Sequence, residues 1–265
     1  MGESDRHSFT PTFHNYSIME FGETMPKQSN RLSVLKAKVD RNHRYSVSET
    51  FVSIKEMASA KFDESIDVAV RLGVNPRHAD QMVRGACSLP HGTGKGVKVL
   101  VFAEGEAASL AEEAGADFVG SDDLIQKIKT ENWLDFDKAV ATRKMMPQLA
   151  RHLGRVLGPR GLMPNPKIGT VVEADKMSDT VRALKRGKID FRVEKAGIIH
   201  VSIGRNSMDA TALEENFLEL LKELLRLKPA STKGAYIKSI TVSSTMGPGM
   251  KLDISEATRL AGEGV

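Results

Sequence analysis

The chain has 265 residues, 40% hydrophobic and 27% charged, an ordinary globular composition long enough for one large or two ordinary domains. Its formal net charge of +4 and pI near 9.1 allow an anionic partner without demanding one. One cysteine, Cys87, excludes an intrachain disulfide and a cysteine-rich zinc site, and no apolar run approaches the roughly 18 residues of a transmembrane helix.

Residues 1–30 show no sustained period and read as an irregular extension. They lack both a secretory apolar core and the Arg-rich, acid-poor pattern of an organelle transit helix. A basic patch follows (Arg31, Lys36, Lys38, Arg41, Arg44) around the single acid Asp40. Ser46 and Glu49 have capping-box spacing, which predicts a helix to about Ala58 with Phe51, Ile54 and Met57 inward. Strict alternation from Ser65 to Val74 predicts a strand with Ile66, Val68, Val70 and Leu72 on its buried face. Asn75-Pro76 turns the chain into a second strand, Val83 to Leu89.

The character changes at Pro90-His-Gly-Thr-Gly-Lys-Gly96. Val97 to Phe102 reads as a strand buried on both faces. Helix (Glu106 to Ala114), strand (Asp117 to Val119), helix (Ser121 to Lys129), strand (Lys138 to Ala141) and helix (Thr142 to His152) then alternate, the mark of a parallel sheet. A short strand, Thr170 to Glu173, and a helix, Asp179 to Arg186, ended by Gly187, complete this unit. Alternation returns with Ile189, Phe191 and Val193, a turn at Gly197, and a strand from Ile199 to Ile203. Leu213, Phe217, Leu220, Leu221, Leu224 and Leu225 mark a long helix over Asp209 to Arg226, before a last strand, Tyr236 to Thr245. Each flank is marginal alone. Residues 31–91 and 187–253 are therefore expected to fold together, with 92–186 inserted between them and 254–265 as a tail.

The segment from Lys138 to Val172 holds seven basic residues (Lys138, Arg143, Lys144, Arg151, Arg155, Arg160, Lys167) and no carboxylate. Its second half, Gly154 to Lys167, is rich enough in Gly and Pro to predict neither helix nor central strand. Charge alone leaves it either a phosphate-facing surface or a solvated basic loop. Gly92-Thr-Gly-Lys95 has neither the first glycine nor the hydroxyl of a nucleotide phosphate loop, and it precedes a strand; a hinge at a domain boundary is expected. No histidine pair has metal-ligand spacing and no carboxylate pair is singled out, so neither metal nor catalysis is expected, and with no matching dinucleotide fingerprint no cofactor is expected either. Lys61-Phe62-Asp63-Glu64, the basic run Lys185 to Lys195 and Ser243 to Gly249 each read alone as turn chemistry or a solvated face. Together on one composite domain they favour an RNA surface. At 5% aromatic content, folded RNA read by shape and phosphate fits better than stacked single strands.

Seven stretches now carry a resemblance: Ala60-Lys-Phe-Asp-Glu64, Leu89 to Lys95, Ala114 to Asp117, Trp133 to Asp137, Leu157-Gly-Pro-Arg-Gly-Leu-Met-Pro-Asn-Pro-Lys167, Lys195 to His200 and Ser244 to Gly249. In this order, over about residues 30–252, they are similar to the large-subunit ribosomal protein L-one family. The resemblance implies an α+β split two-layer domain built from both termini, with an inserted Rossmann-like α/β three-layer domain on a two-stranded hinge (Gly92, Gly94, Gly187). It implies a monomer within the ribosome, bound to the large-subunit ribosomal RNA of the mobile stalk beside the exit site for deacylated tRNA. Bacterial members also repress their own messenger. By motif, Lys61, Phe62, Thr245, Met246 and Gly247 would face RNA, with Arg192 and Lys195 as a further segment. Arg155, Arg160 and Lys167 are candidates for the interdomain cleft or the passing tRNA. The extensions would meet other ribosomal proteins. The first 30 residues and the tail from Ile254 to Val265 exceed the family's usual compact bacterial form, and Asn75 to Gly85 with Glu194 to Gly197 resembles the version in the bacterial lineage ancestral to mitochondria. Together these lead to the expectation of a mitochondrial ribosome, ahead of bacterial cytoplasm and plastid. Two rival readings remain open: a free translational repressor, and an α/β nucleotide- or sugar-phosphate-binding enzyme using Gly92 to Gly96.

Overall fold

A computed structural model describes residues 29–40 and 42–262; the expected N-terminal extension up to residue 28, and Arg41, lie outside the described residues. Ser29 caps α1 (Asn30–Ala37) by accepting from the Leu32 N–H. The hydroxyl of Ser46 accepts from the Glu49 N–H and opens α2 (Val47–Met57), which buries Phe51, Ile54 and Met57. Then come β1 (Ser65–Leu72), β2 (Arg84–Ser88), β3 (Val99–Phe102), α3 (Glu106–Glu113), β4 (Phe118–Gly120), α4 (Asp122–Glu131) and β5 (Lys138–Thr142). They are followed by α5 (Met146–Leu157), β6 (Val171–Val172), α6 (Met177–Lys185), β7 (Lys188–Arg192), β8 (Ile198–Arg205), α7 (Ala210–Arg226), β9 (Ile237–Ser244), β10 (Met250–Lys251) and α8 (Ile254–Gly262).

The fold is mixed α/β with three sheets among the described residues. An antiparallel sheet runs in the order β10-β9-β1-β8, and α2, α7 and α8 pack against it. Its core joins residues from Leu35 to Leu89 with residues from Phe191 to Ala261, so distant parts of the chain close one apolar interior. The opposite face carries small polar groups, with Asp67 paired to Ser202 on one side and Ser243 on the other. β2 and β7 form a separate antiparallel pair. The parallel sheet β4-β3-β5-β6 has a core on each face. Leu100 and Phe102 meet α4 and α5, while Val99 and Val101 meet α3 and α6, which is why this strand reads as an unbroken apolar run.

Three expectations are corrected. β5 continues through Thr142, opposite Val172, so the following helix starts four residues later than predicted, at Met146, with Pro147 in the first turn where its missing N–H costs nothing. That helix runs to Leu157, taking in the first residues of the Gly/Pro-rich half of the basic segment. Burial of Leu149, Leu153 and Leu157 at helical spacing outweighs the penalty at Gly154. Residues 254–262 are no tail: α8 lies on α7 and buries Ala257 and Ala261 in the core. Its buried positions are alanines, too weak an apolar signal to stand out.

Candidate nucleic-acid interface

The parity of β1 decides the local architecture. Ile66, Val68, Val70 and Leu72 face inward, and Glu64 has the same parity just ahead of them. It is 1% exposed, an acid turned into the protein that must find donors. It finds them on two loops: Oε1 accepts from the Ala60 N–H and Oε2 from the Met246 N–H, each at 2.9 Å. Burial pushes this carboxyl up. The Met246 and Ala60 N–H groups, the Ser244 hydroxyl and the Arg31 guanidinium outweigh that, and the net shift is downward. Thr245 closes the seam: its N–H donates to the Ser65 carbonyl and its Oγ1 accepts from the Ser65 N–H, both at 3.0 Å.

Lys61, Phe62, Thr245, Met246 and Gly247 thereby share one end of the antiparallel sheet. Phe62 is 55% and Met246 48% exposed, two large apolar side chains held out by a polar seam. A Cβ on Gly247 would stand 2.4 Å from the Ser244 Oγ, so the turn admits only glycine without rearrangement. A third loop, unassigned in the sequence, joins them. The Ser207 N–H and hydroxyl donate to Asp63, the Arg205 guanidinium lies 3.5 Å from it, and the Asn206 N–H donates to the Glu64 carbonyl. The Ser207 hydroxyl is the largest of the influences holding the Asp63 carboxyl below its ordinary range.

Arg192 and Lys195 stand elsewhere. In the β1–β8 register Ser65 is opposite Arg205 and Arg71 opposite Ile198, so Lys195, just before β8, belongs to the far end of the sheet. There both are exposed and line an open recess with Pro76, Arg77, Met82, Val193 and Glu194. Arg155, Arg160 and Lys167 are exposed, and none lines the small recess where Leu162, Met163 and Ile168 approach Ala86 and Ile189. No hydrogen bond or ion pair engages their side chains among the described residues. Lys138, the first cation of the basic segment, is instead paired with Asp190 across that recess. Gly92, Gly94 and Gly187 all have positive φ, and a Cβ on Gly187 would come within 2.5 Å of the Gly92 Cα. Two chain crossings thus touch glycine to glycine. Lys95 is engaged by Asp137 at 2.7 Å, and no group of three or more metal-ligating side chains occurs among the described residues.

Sequence reasoning missed the roles of Glu64, Arg31 and Ser207. Only Glu64 left a signal, an acid in the inward register of an apolar strand.

An exposed cation, an aromatic ring and a thioether braced at one end of an antiparallel sheet define a protein whose chemistry is that of a binding face. Residues 54–248 match the model of the Ribosomal protein L1p/L10e family. The chain is also 53% identical over 232 residues to the large ribosomal subunit protein uL1 of Bdellovibrio bacteriovorus, which covers 88% of this chain and 97% of that relative. The chain belongs to the Ribosomal protein L1p/L10e family; it is a ribosomal protein and not an enzyme.

Proposed function

We propose that this protein is a structural constituent of the large ribosomal subunit. It grips the ribosomal RNA of the mobile stalk through Lys61, Phe62, Thr245, Met246 and Gly247 and assists release of deacylated tRNA. The observation that carries this reading is the Glu64 clamp, which joins two loops far apart in sequence into one exposed face. Arg192 and Lys195 supply a second contact at the other end of the same sheet. The polar strand face between the two ends suits an RNA backbone lying along it. The shared core of the two flanks and the separate parallel sheet support a split α+β body, residues 31–91 plus 187–253 extended by α8, with 92–186 inserted as a Rossmann-like unit. Arg155, Arg160 and Lys167, free of partners on that unit, are placed to meet tRNA phosphates. The same loops would serve for a messenger that copied the stalk fold. The Asn75–Gly85 segment supports a mitochondrial ribosome, and imaging a tagged chain decides between matrix and bacterial cytoplasm.

Sedimentation through a sucrose gradient tests the reading. The protein is expected to travel with the large subunit, and purified protein to bind stalk RNA with an affinity that falls as salt rises. Equal affinity for an unrelated duplex of the same length would reduce the surface to a general polyanion binder.

A further inference from the structure

The geometry points to Arg31, on a helix outside the family-matched segment, as a positioning residue of the RNA face. This inference rests on the binding reading above. The guanidinium reaches out of α1 as a fork: Nη1 donates to the Ser59 Oγ and Nη2 to the Met246 carbonyl, each at 3.1 Å. These two acceptors lie on the two loops that Glu64 ties from beneath, so Met246 is held through both of its backbone groups. Its N–H is bonded to the buried carboxylate and its carbonyl to the arginine. The positive charge of Arg31 also favours the ionised form of Glu64. A planar fork can span two acceptors on different segments, which a lysine ammonium does with far less geometric definition. With one donor of each terminal nitrogen directed at a protein oxygen, Arg31 acts through Met246 rather than on phosphate. The first helix is therefore a brace that fixes the exposed thioether before RNA arrives, lowering the ordering cost of binding.

The test uses the full chain, stalk RNA, and the variants Arg31→Gln and Arg31→Lys. Both are expected to weaken binding about tenfold, mainly through faster dissociation, with the slope of log affinity against log salt unchanged. In the free protein, amide exchange at Met246 is expected to quicken in both variants, a readout that does not depend on RNA. A direct phosphate ligand behaves otherwise: Arg31→Gln would flatten the salt slope by about one unit and Arg31→Lys would bind like the unaltered chain. That result, or unaltered Met246 exchange, overturns the brace. Failure of the unaltered chain to bind stalk RNA would instead overturn the binding reading, while quickened exchange would still establish the brace on the loop.

Discussion

The Met246 N–H donates to the Glu64 Oε2 at 2.9 Å, a bond that spans 182 residues of sequence. Glu64→Ala removes the acceptor for two backbone donors at once and is expected to cost roughly 2–4 kcal/mol, measurable by urea unfolding. Glu64→Gln keeps one acceptor oxygen and is expected to cost less. The acid dependence follows from the sign of the shift. The carboxyl titrates below its ordinary 4.5 in the folded chain, so its contribution is complete above that pH and is lost as pH falls through the lower folded value. The stability gap between the natural chain and Glu64→Gln should therefore close in acid; a constant gap from pH 7 to pH 3 would contradict it.

Phe62 and Met246 lie outside the core, so truncation removes contact area for a partner and little folding energy. Phe62→Ala and Met246→Ala are each expected to weaken stalk-RNA binding by about tenfold or more and to leave the melting temperature nearly unchanged. Calorimetry beside a filter-binding curve reads both quantities. Equal affinity in both variants would move the interface elsewhere.

What could be read in the chain was what nearest neighbours decide. Ser46 and Glu49 are three residues apart, and the alternation of β1 is visible over eight residues; both appear in the fold as the sequence predicts. The same locality explains the misses. Asp63 reads as a surface acid until Ser207, 144 positions away, supplies its donors. Asn216 lies in the long helix α7 beside Phe217, and no local pattern marks it out. In the fold it is buried, donating to the Gly92 and Ile203 carbonyls and accepting from the His91 N–H. The loops proposed to face RNA carry the family motif, and their juxtaposition rests on pairings such as Thr245 with Ser65, which no local pattern encodes.

Arg160 and Lys167 carry exposed charge on turns that no carboxylate neutralises among the described residues. Reversing both, Arg160→Glu with Lys167→Glu, is expected to leave stalk-RNA affinity unchanged while shortening the dwell of deacylated tRNA at the exit site. Single-molecule residence times on reconstituted subunits measure this. Unchanged dwell would remove these residues from the tRNA path.

Gly187 and Gly96 offer a paired test of the proposed hinge because their surroundings are opposite. Gly187 has φ of +104°, and an added Cβ would meet the Gly92 Cα at 2.5 Å and the Thr93 nitrogen at 3.0 Å, backbone atoms that cannot rotate away. Gly96 has ordinary φ and nothing within 4 Å of its would-be Cβ. Gly187→Ala therefore combines left-handed strain with a collision and is expected to destabilise by about 1–3 kcal/mol. Relief of the collision must also part the two crossing segments, so the radius of gyration in solution scattering should rise. Gly96→Ala mainly restricts the unfolded chain and is expected to be neutral or stabilising by up to about 1 kcal/mol, with no change in scattering. If both substitutions behaved alike, the contact between Gly92 and Gly187 would not be what sets the approach of the two crossings.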